Sequence, residues 1–524
     1  MNWARFLGIA GVLLLGSATA HGAVTVYPLP SIYHASETFA LSADDQPVPV
    51  ISFSKGYDYA AFECPESGCR LRVTNLNHLP ITRYSITPEK LAIPATISGS
   101  DLLLAVRQPE YLIVSTGGSR KLVIAIDPPQ PDAPPAHGPG IYNVTDDPYR
   151  ADLSGQSAST AAIQRAVTDA GADPDHHGIV YVPSGVYALS TLQLISNVSL
   201  YLAPGAVLRC DGTSGDFIPR YIKESRRQQG VWFIYTAQNS SNIKIFGRGT
   251  IDANGKDIIR RLNLIVDLVV PINCTNFTLD GPTLVDSSSW GTVIANCDHV
   301  LIRNTKHFNP LDVGEDDCVD ICDSQNVRVE RSIAISLDDP YSCKTWAADT
   351  DMAVQWGGHL RANENIRFEN CIAWTRCFGF KVGAGAFQPQ ENLVFHNCVV
   401  HDAAHAIGIS DSYGYADLRN ILFDTLDVER TTCTNLGRSW ARFAIDNRNP
   451  TTPGGGVYDV KVINVRVRDP GTMPIPIEGL SSGRMIHGVT FENILMPGED
   501  FPATTLAQIG VRDTRFADGI SVQP

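Results

Sequence analysis

One short phrase recurs along the later two-thirds of the chain: a turn residue, an apolar residue, any residue, then another apolar one. It reads NVSL from Asn197, NIKI from Asn242, NFTL from Asn276, HVLI from His299 and NVRV from Asn326. It continues as NIRF from Asn365, NLVF from Asn392, NILF from Asn420, DVKV from Asp459 and GVTF from Gly488. Alternation of this kind marks a strand with one buried face. Successive starts lie 23 residues apart from Asn276 to His299, 27 from His299 to Asn326, and 28 from Asn392 to Asn420. Strands at such a period, with no helix between them, predict a solenoid whose coils stack on one another. The expected fold is an all-β parallel β-helix of about ten coils over residues 141–524, the longer gaps holding loop insertions. The fixed leucine frame of a leucine-rich repeat is absent. Asn304, Asn370, Asn397, Asn464 and Asn493 recur four residues past an apolar mark, so their amides are expected to stack and hydrogen-bond up one column.

Residues 24–127 carry short alternations (RLRVTNL, LLLAV, LVIAI) broken by turn residues, which predicts a small β-sandwich. The run DPPQPDAPPAHGPG ends it, a stiff linker over 128–140. STAAIQRAVTDAG then has a Ser/Thr start and helical spacing, one helix of about three turns that would cap the coils. At the other end, MNWAR precedes the apolar run FLGIAGVLLLGSA and an Ala-x-Ala site at Ala18 and Ala20. That is a secretory signal over residues 1–20 and implies an extracellular protein, since the run is shorter than the roughly 20 residues of a membrane span.

Secretion permits disulfides among the 12 cysteines. Cys64 and Cys69 bracket a Pro/Gly turn and are the one plausible local pair, whereas Cys371 and Cys398 occupy equivalent places in two repeats and read as stacked core residues. Five Asn-x-Ser/Thr triplets, at Asn143, Asn197, Asn239, Asn273 and Asn276, fit a glycoprotein, although Asn-rich turns create them by chance. A formal net charge of −14, with no block of like charge, excludes nucleic acid as a natural partner. No spacing resembles a zinc site, and no metal or other cofactor is expected.

Two acidic clusters carry the candidate chemistry. In AISLDDPYSCK, Asp338 and Asp339 stand where an apolar strand runs out, and GEDDCVDICDSQNV places Glu315, Asp316, Asp317 and Asp320 one coil earlier. The separation of 21 between Asp317 and Asp338 is close to one short coil, which sets those two side by side about 4.8 Å apart. Asp317, Asp338 and Asp339 on adjacent rungs repel unless one holds a proton, which is what glycoside hydrolysis requires: an acid to protonate the leaving oxygen and a base to activate water. Turn capping or calcium binding explains any one such aspartate but suits three together less well. Trp346 and Trp374 are candidate platforms for sugar rings.

The stretches YVPSGVYALSTLQLISNVSLYLAPGAVL and IFGRGTIDANG, with the two acidic clusters, resemble the polygalacturonase-type glycoside hydrolases on the pectin-lyase-like fold. The dextranase and isopullulanase group is a more distant likeness. The resemblance runs from about residue 141 to the C-terminus and implies a right-handed β-helix and inverting hydrolysis. It implies Asp339 as general acid, with Asp317 and Asp338 orienting and deprotonating water. The family's Asn-Thr-Asp-Gly motif falls on Glu315, Asp316, Asp317 and Cys318, so only the aspartate survives. Gly-His-Gly falls on Cys377, Phe378 and Gly379, and the Arg-Ile-Lys that grips a uronate falls on Gly408, Ile409 and Ser410. Lys344 and Lys381 are expected to supply a displaced anion site, and His405, two coils along the column of Asp339, to stand in for the missing histidine. Arg376 joins them as a substrate-binding candidate. The reading is a monomeric, secreted hydrolase of a polysaccharide, with a pectic, uronate-containing polymer favoured over a neutral α-glucan. A lyase on the same fold and a non-catalytic carbohydrate-binding helix are the other classes considered.

Overall fold

The computed structural model describes residues 23–173, 178–432, 437–446 and 454–524; the secretory signal expected over residues 1–20 lies outside them. The coils are built as the repeat requires. From Ile179 to Ile445 each contributes two strands to a 23-stranded sheet and one to a 12-stranded sheet, the last coils contribute one strand each to the larger sheet, and neighbouring coils pair in parallel. In the second sheet only Tyr221–Lys223 pairs antiparallel, at the side of Gln228–Thr236, which leaves an eleven-rung ladder from Leu192–Leu194 to Val511–Arg515. The residues that point inward stack like on like up the axis. Phe368, Phe395 and Phe423 lie ring on ring at 4.9 and 4.8 Å, and Cys371 and Cys398 are fully buried among them. The helix Thr160–Gly171 buries Ile163, Ala166, Val167 and Ala170 against the first coils.

The tight corners are made by asparagine. Asn242, Asn276, Asn326, Asn365, Asn392 and Asn420 all have φ between 52° and 60°, a left-handed conformation that asparagine tolerates better than other side chains. Each donates its side-chain N–H to the residue one coil below, as Asn420 does to Asn392 at 2.6 Å. A second ladder holds the expected set: Asn397 bonds to Asn370 and Asn493 to Asn464, while Asn304 and Asn464 bond to Asp280 and Asp424. The glycosylation triplets at Asn143, Asn273 and Asn276 spend their amide nitrogens within the fold.

Strands between Thr25 and Asp127 form a six-stranded and a five-stranded sheet around a core that includes Phe39, Phe62, Val73 and Ile124. Cys64 and Cys69 are unbridged, and the Cys64 thiol donates to the Pro65 carbonyl at 3.4 Å. The outer face of the six-stranded sheet carries Tyr57, Tyr59, Tyr111 and Val123, which pack on Phe308, Ile335, Ile372 and Trp374 of the coils. Trp374 is therefore covered by the N-terminal sheets, not offered to a sugar. No helix among the described residues is long and apolar enough to cross a membrane.

Candidate active site

The acidic clusters fall at the start of two adjacent strands of the 12-stranded sheet, Val319–Cys322 and Tyr341–Thr345. Val319 pairs with Tyr341, a step of 22, and the Cys318 N–H donates to the Asp339 carbonyl at 3.1 Å. Continuing that register back sets Asp317 beside Asp339, one place away from the expected partner Asp338. The difference is the single residue that the turn before Pro340 inserts. The same column runs on from Asp339 to Phe378, His405 and Ser439. In the other direction Thr292 pairs with Val319, which sets Trp290 beside Asp317. Aromatic rings thus stand on both sides of the paired carboxylates.

Two lysines lock the cluster. The Lys344 ammonium lies 2.6 Å from Asp317 and 2.9 Å from Asp320, and that of Lys381 lies 2.7 Å from Asp339. The anion site expected of these two cations is thus already filled by the protein's own carboxylates. Asp316, fully buried, accepts the backbone N–H groups of Leu337 and Asp338, both at 3.0 Å, and so fixes the turn that carries the pair. Thr375 and Ser336 donate to the Asp338 carbonyl from below.

These surroundings split the neighbours electrostatically. Burial, with the charges of Asp317 and Asp339, pushes Asp338 up to about 7. Burial also pushes on Asp339, but the Lys381 and Lys344 ammoniums outweigh it and hold its carboxyl below the ordinary range. Burial raises Asp316, and it raises Asp320 to about 8. A group held anionic by two ammoniums has no proton to give near neutrality; Asp338 does.

The remaining candidates divide. Trp346 stacks on Trp290 at 5.9 Å and is half-buried. Arg376 is exposed on the turn beside Asp338, its N–H bonded to the Leu337 carbonyl. His405 packs on Phe378 at 4.7 Å and meets Ser439 through Nδ1 at 2.9 Å, and burial followed by the Arg442 charge pushes it down to about 4. It is neutral above that pH and does not carry the proton of the missing histidine. Among the described residues, carboxylate oxygens of Asp338 and Asp339 and the thiol of Cys377 lie within 4.8 Å of one another. The Lys381 ammonium already supplies positive charge there. Trp290 and Arg442 were not found from sequence, and Cys377 and Phe378 were placed only as the residues under the Gly-His-Gly motif; the 27-residue step from His299 to Asn326, carried back from Asp317, is the signal that would have found Trp290.

No family model matches the chain, and no curated protein does. Solved structures do. The family 28 exopolygalacturonase of Yersinia enterocolitica superposes with a TM-score of 0.57 at 17% identity, over 92% of this chain and 96% of that one. Dex49A of Penicillium minioluteum does so with a TM-score of 0.54 at 13% identity, over 95% and 96%. A Thermotoga maritima exopolygalacturonase reaches 0.52 at 16%, over 72% and 94%. The fold is theirs. At these identities the likeness extends to the β-helix architecture, and the chemistry rests on the residues just described.

Proposed function

We propose that this protein is a secreted, monomeric glycoside hydrolase that cleaves a polysaccharide with Asp338 as general acid. The observation that carries the reading is the cluster itself: Asp317 and Asp339 paired across adjacent rungs, each held by a lysine, with Asp338 on the same turn. In this scheme Asp338 protonates the glycosidic oxygen as the bond breaks. Asp317 and Asp339 hold a water and take its proton, and Lys381 and Lys344 keep Asp339 ionised. This reverses the roles that the resemblance gives Asp338 and Asp339, because the ammonium sits on Asp339. The hydrolysis is expected to invert, as the resemblance implies.

A uronan is the first substrate to try. Lys381, Gly408 and Arg442 follow one another in register, and the Phe378 ring fills the space over Gly408, so two cations stand on the outward face on either side of that ring. A neutral glucan is the second reading, favoured by the internal pairing of Lys344 and Lys381. The test is a reducing-end assay on polygalacturonate, dextran and pullulan, with ultraviolet absorbance followed to detect the unsaturated product of a lyase. Asp317→Asn, Asp338→Asn and Asp339→Asn should each cost about 10²- to 10⁴-fold, the range of positioned acid-base groups. Near wild-type rates in any two folded variants would remove the assignment.

A further inference from the structure

The cleft has one closed end. On the strands N-terminal to the aspartates, the outward face of the 12-stranded sheet is apolar, with Trp232, Ile265, Val270, Val293 and Ala295. Two insertions cover it. One contains Tyr221–Lys223 and enters before its coil's strand of this sheet; the other, over 346–362, leaves after Tyr341–Thr345. Tyr221–Lys223 and the turn Asp351–Gln355 pack against each other, so the two insertions meet across the sheet. Met352, Ala353, Trp356 and Leu360 are buried between them and the sheet.

Both insertions are tied down. The second receives Asn273 Nδ2 on the Trp356 carbonyl and Asn296 Nδ2 on the His359 carbonyl, and returns the Arg361 N–H to Asn296. In the first, Tyr221 donates to Asp267 at 2.9 Å. Arg226 reaches the Ser288 and Gly314 carbonyls, and Ser225 reaches Glu315 at 2.9 Å. The first insertion therefore rests on the very turn that leads into Asp317. Trp290, the ring beside Asp317, ends up only 4% exposed, with the Lys223 and Lys344 ammoniums 4.1 and 4.0 Å from its centroid. The other direction is different. Past Phe378 a cavity of about 290 Å³ opens among His405, Ser439, Arg442, Pro474 and Glu478.

We infer that the substrate chain enters from the Arg442 side and stops against the Trp290 roof, so that the enzyme shortens chains from one end. This rests on the hydrolase reading above. A groove open at both ends admits the middle of a polymer; one roofed a single rung from its carboxylates admits only a terminus.

Two measurements test it. On the best substrate of the screen, the wild-type protein should release one short product from the first few per cent of reaction, with viscosity falling slowly against reducing ends. A ladder of oligomers with an early collapse of viscosity overturns the inference. Separately, Asp338→Asn is titrated by calorimetry with oligogalacturonides and isomalto-oligosaccharides carrying a bulky tag at either end. A tag at one end should weaken binding at least tenfold while the other is tolerated; equal tolerance of both overturns the roof. End-selective binding without any cleavage by the wild type would retain the closed end and remove the hydrolase, whereas no binding of any oligomer removes both.

Discussion

Two adjacent aspartates with opposite electrostatic fates carry the proposed chemistry at the scale of single residues. Asp338 must hold its proton, which it loses as pH rises through about 7; Asp339 must be ionised, which fails as pH falls through its depressed value. The rate should therefore be bell-shaped with its centre on the acid side of neutrality. Lys381→Met keeps the apolar stem and removes the ammonium that lowers both groups. Both limbs of the pH profile of kcat/KM should then move toward higher pH, with a larger loss at pH 5 than at pH 7. An unmoved profile would show that the Lys381–Asp339 contact does not set the ionisation. The aspartates and both lysines were legible in the sequence, because charge at the end of apolar strands has few cheap explanations. Their pairing was not: one extra residue in a turn moves every partner by one place, so Asp317 stands beside Asp339 and not Asp338.

At the scale of the element, the asparagine corners explain why the repeat was so readable. A left-handed residue at each corner is a backbone requirement, and the amide that tolerates it also bonds to the next coil. Asn420, exposed with φ of 52° and its donor 2.6 Å from Asn392, is a clean place to separate the two contributions. Asn420→Ala should cost about 2 kcal/mol, roughly 1–2 for the conformation and 0.5–1.5 for the hydrogen bond. Asn420→Gly loses the bond but relieves the conformation, and should cost clearly less in a denaturant titration. Equal losses would mean that the hydrogen bond alone matters at this corner. What the repeat did not reveal was which face each aromatic residue serves. Trp374 lies on the strand Ile372–Trp374 of the large sheet and meets the N-terminal sheets, while Trp290 and Phe378 fall between repeat phrases, on the side of the coil that the phrase does not mark.

Across the whole molecule the two parts share a buried interface, which makes the N-terminal sheets an integral part of the fold. Lys306 of the coils is 1% exposed and lies 2.9 Å from both oxygens of Asp127, the last residue of the sandwich strand Lys121–Asp127. Arg248 approaches the same carboxylate, and Tyr111 donates to it at 2.9 Å. Burial, resisted by Asp127, pushes the Lys306 ammonium down to about 8. Removing the anion leaves two buried cations facing each other, so Asp127→Asn should cost about 3–5 kcal/mol, the range for breaking a buried pair. Adding Lys306→Met removes the stranded charge and should recover part of the loss. The same geometry bears on truncation: a chain beginning at residue 128 would expose Phe308, Ile335, Ile372 and Trp374 as one apolar stripe beside an unpaired Lys306. That fragment should aggregate where the full chain stays soluble. A soluble, monomeric and active fragment, or an Asp127→Asn variant with an unchanged melting temperature, would show that the sandwich is a detachable module and the interface only a resting place.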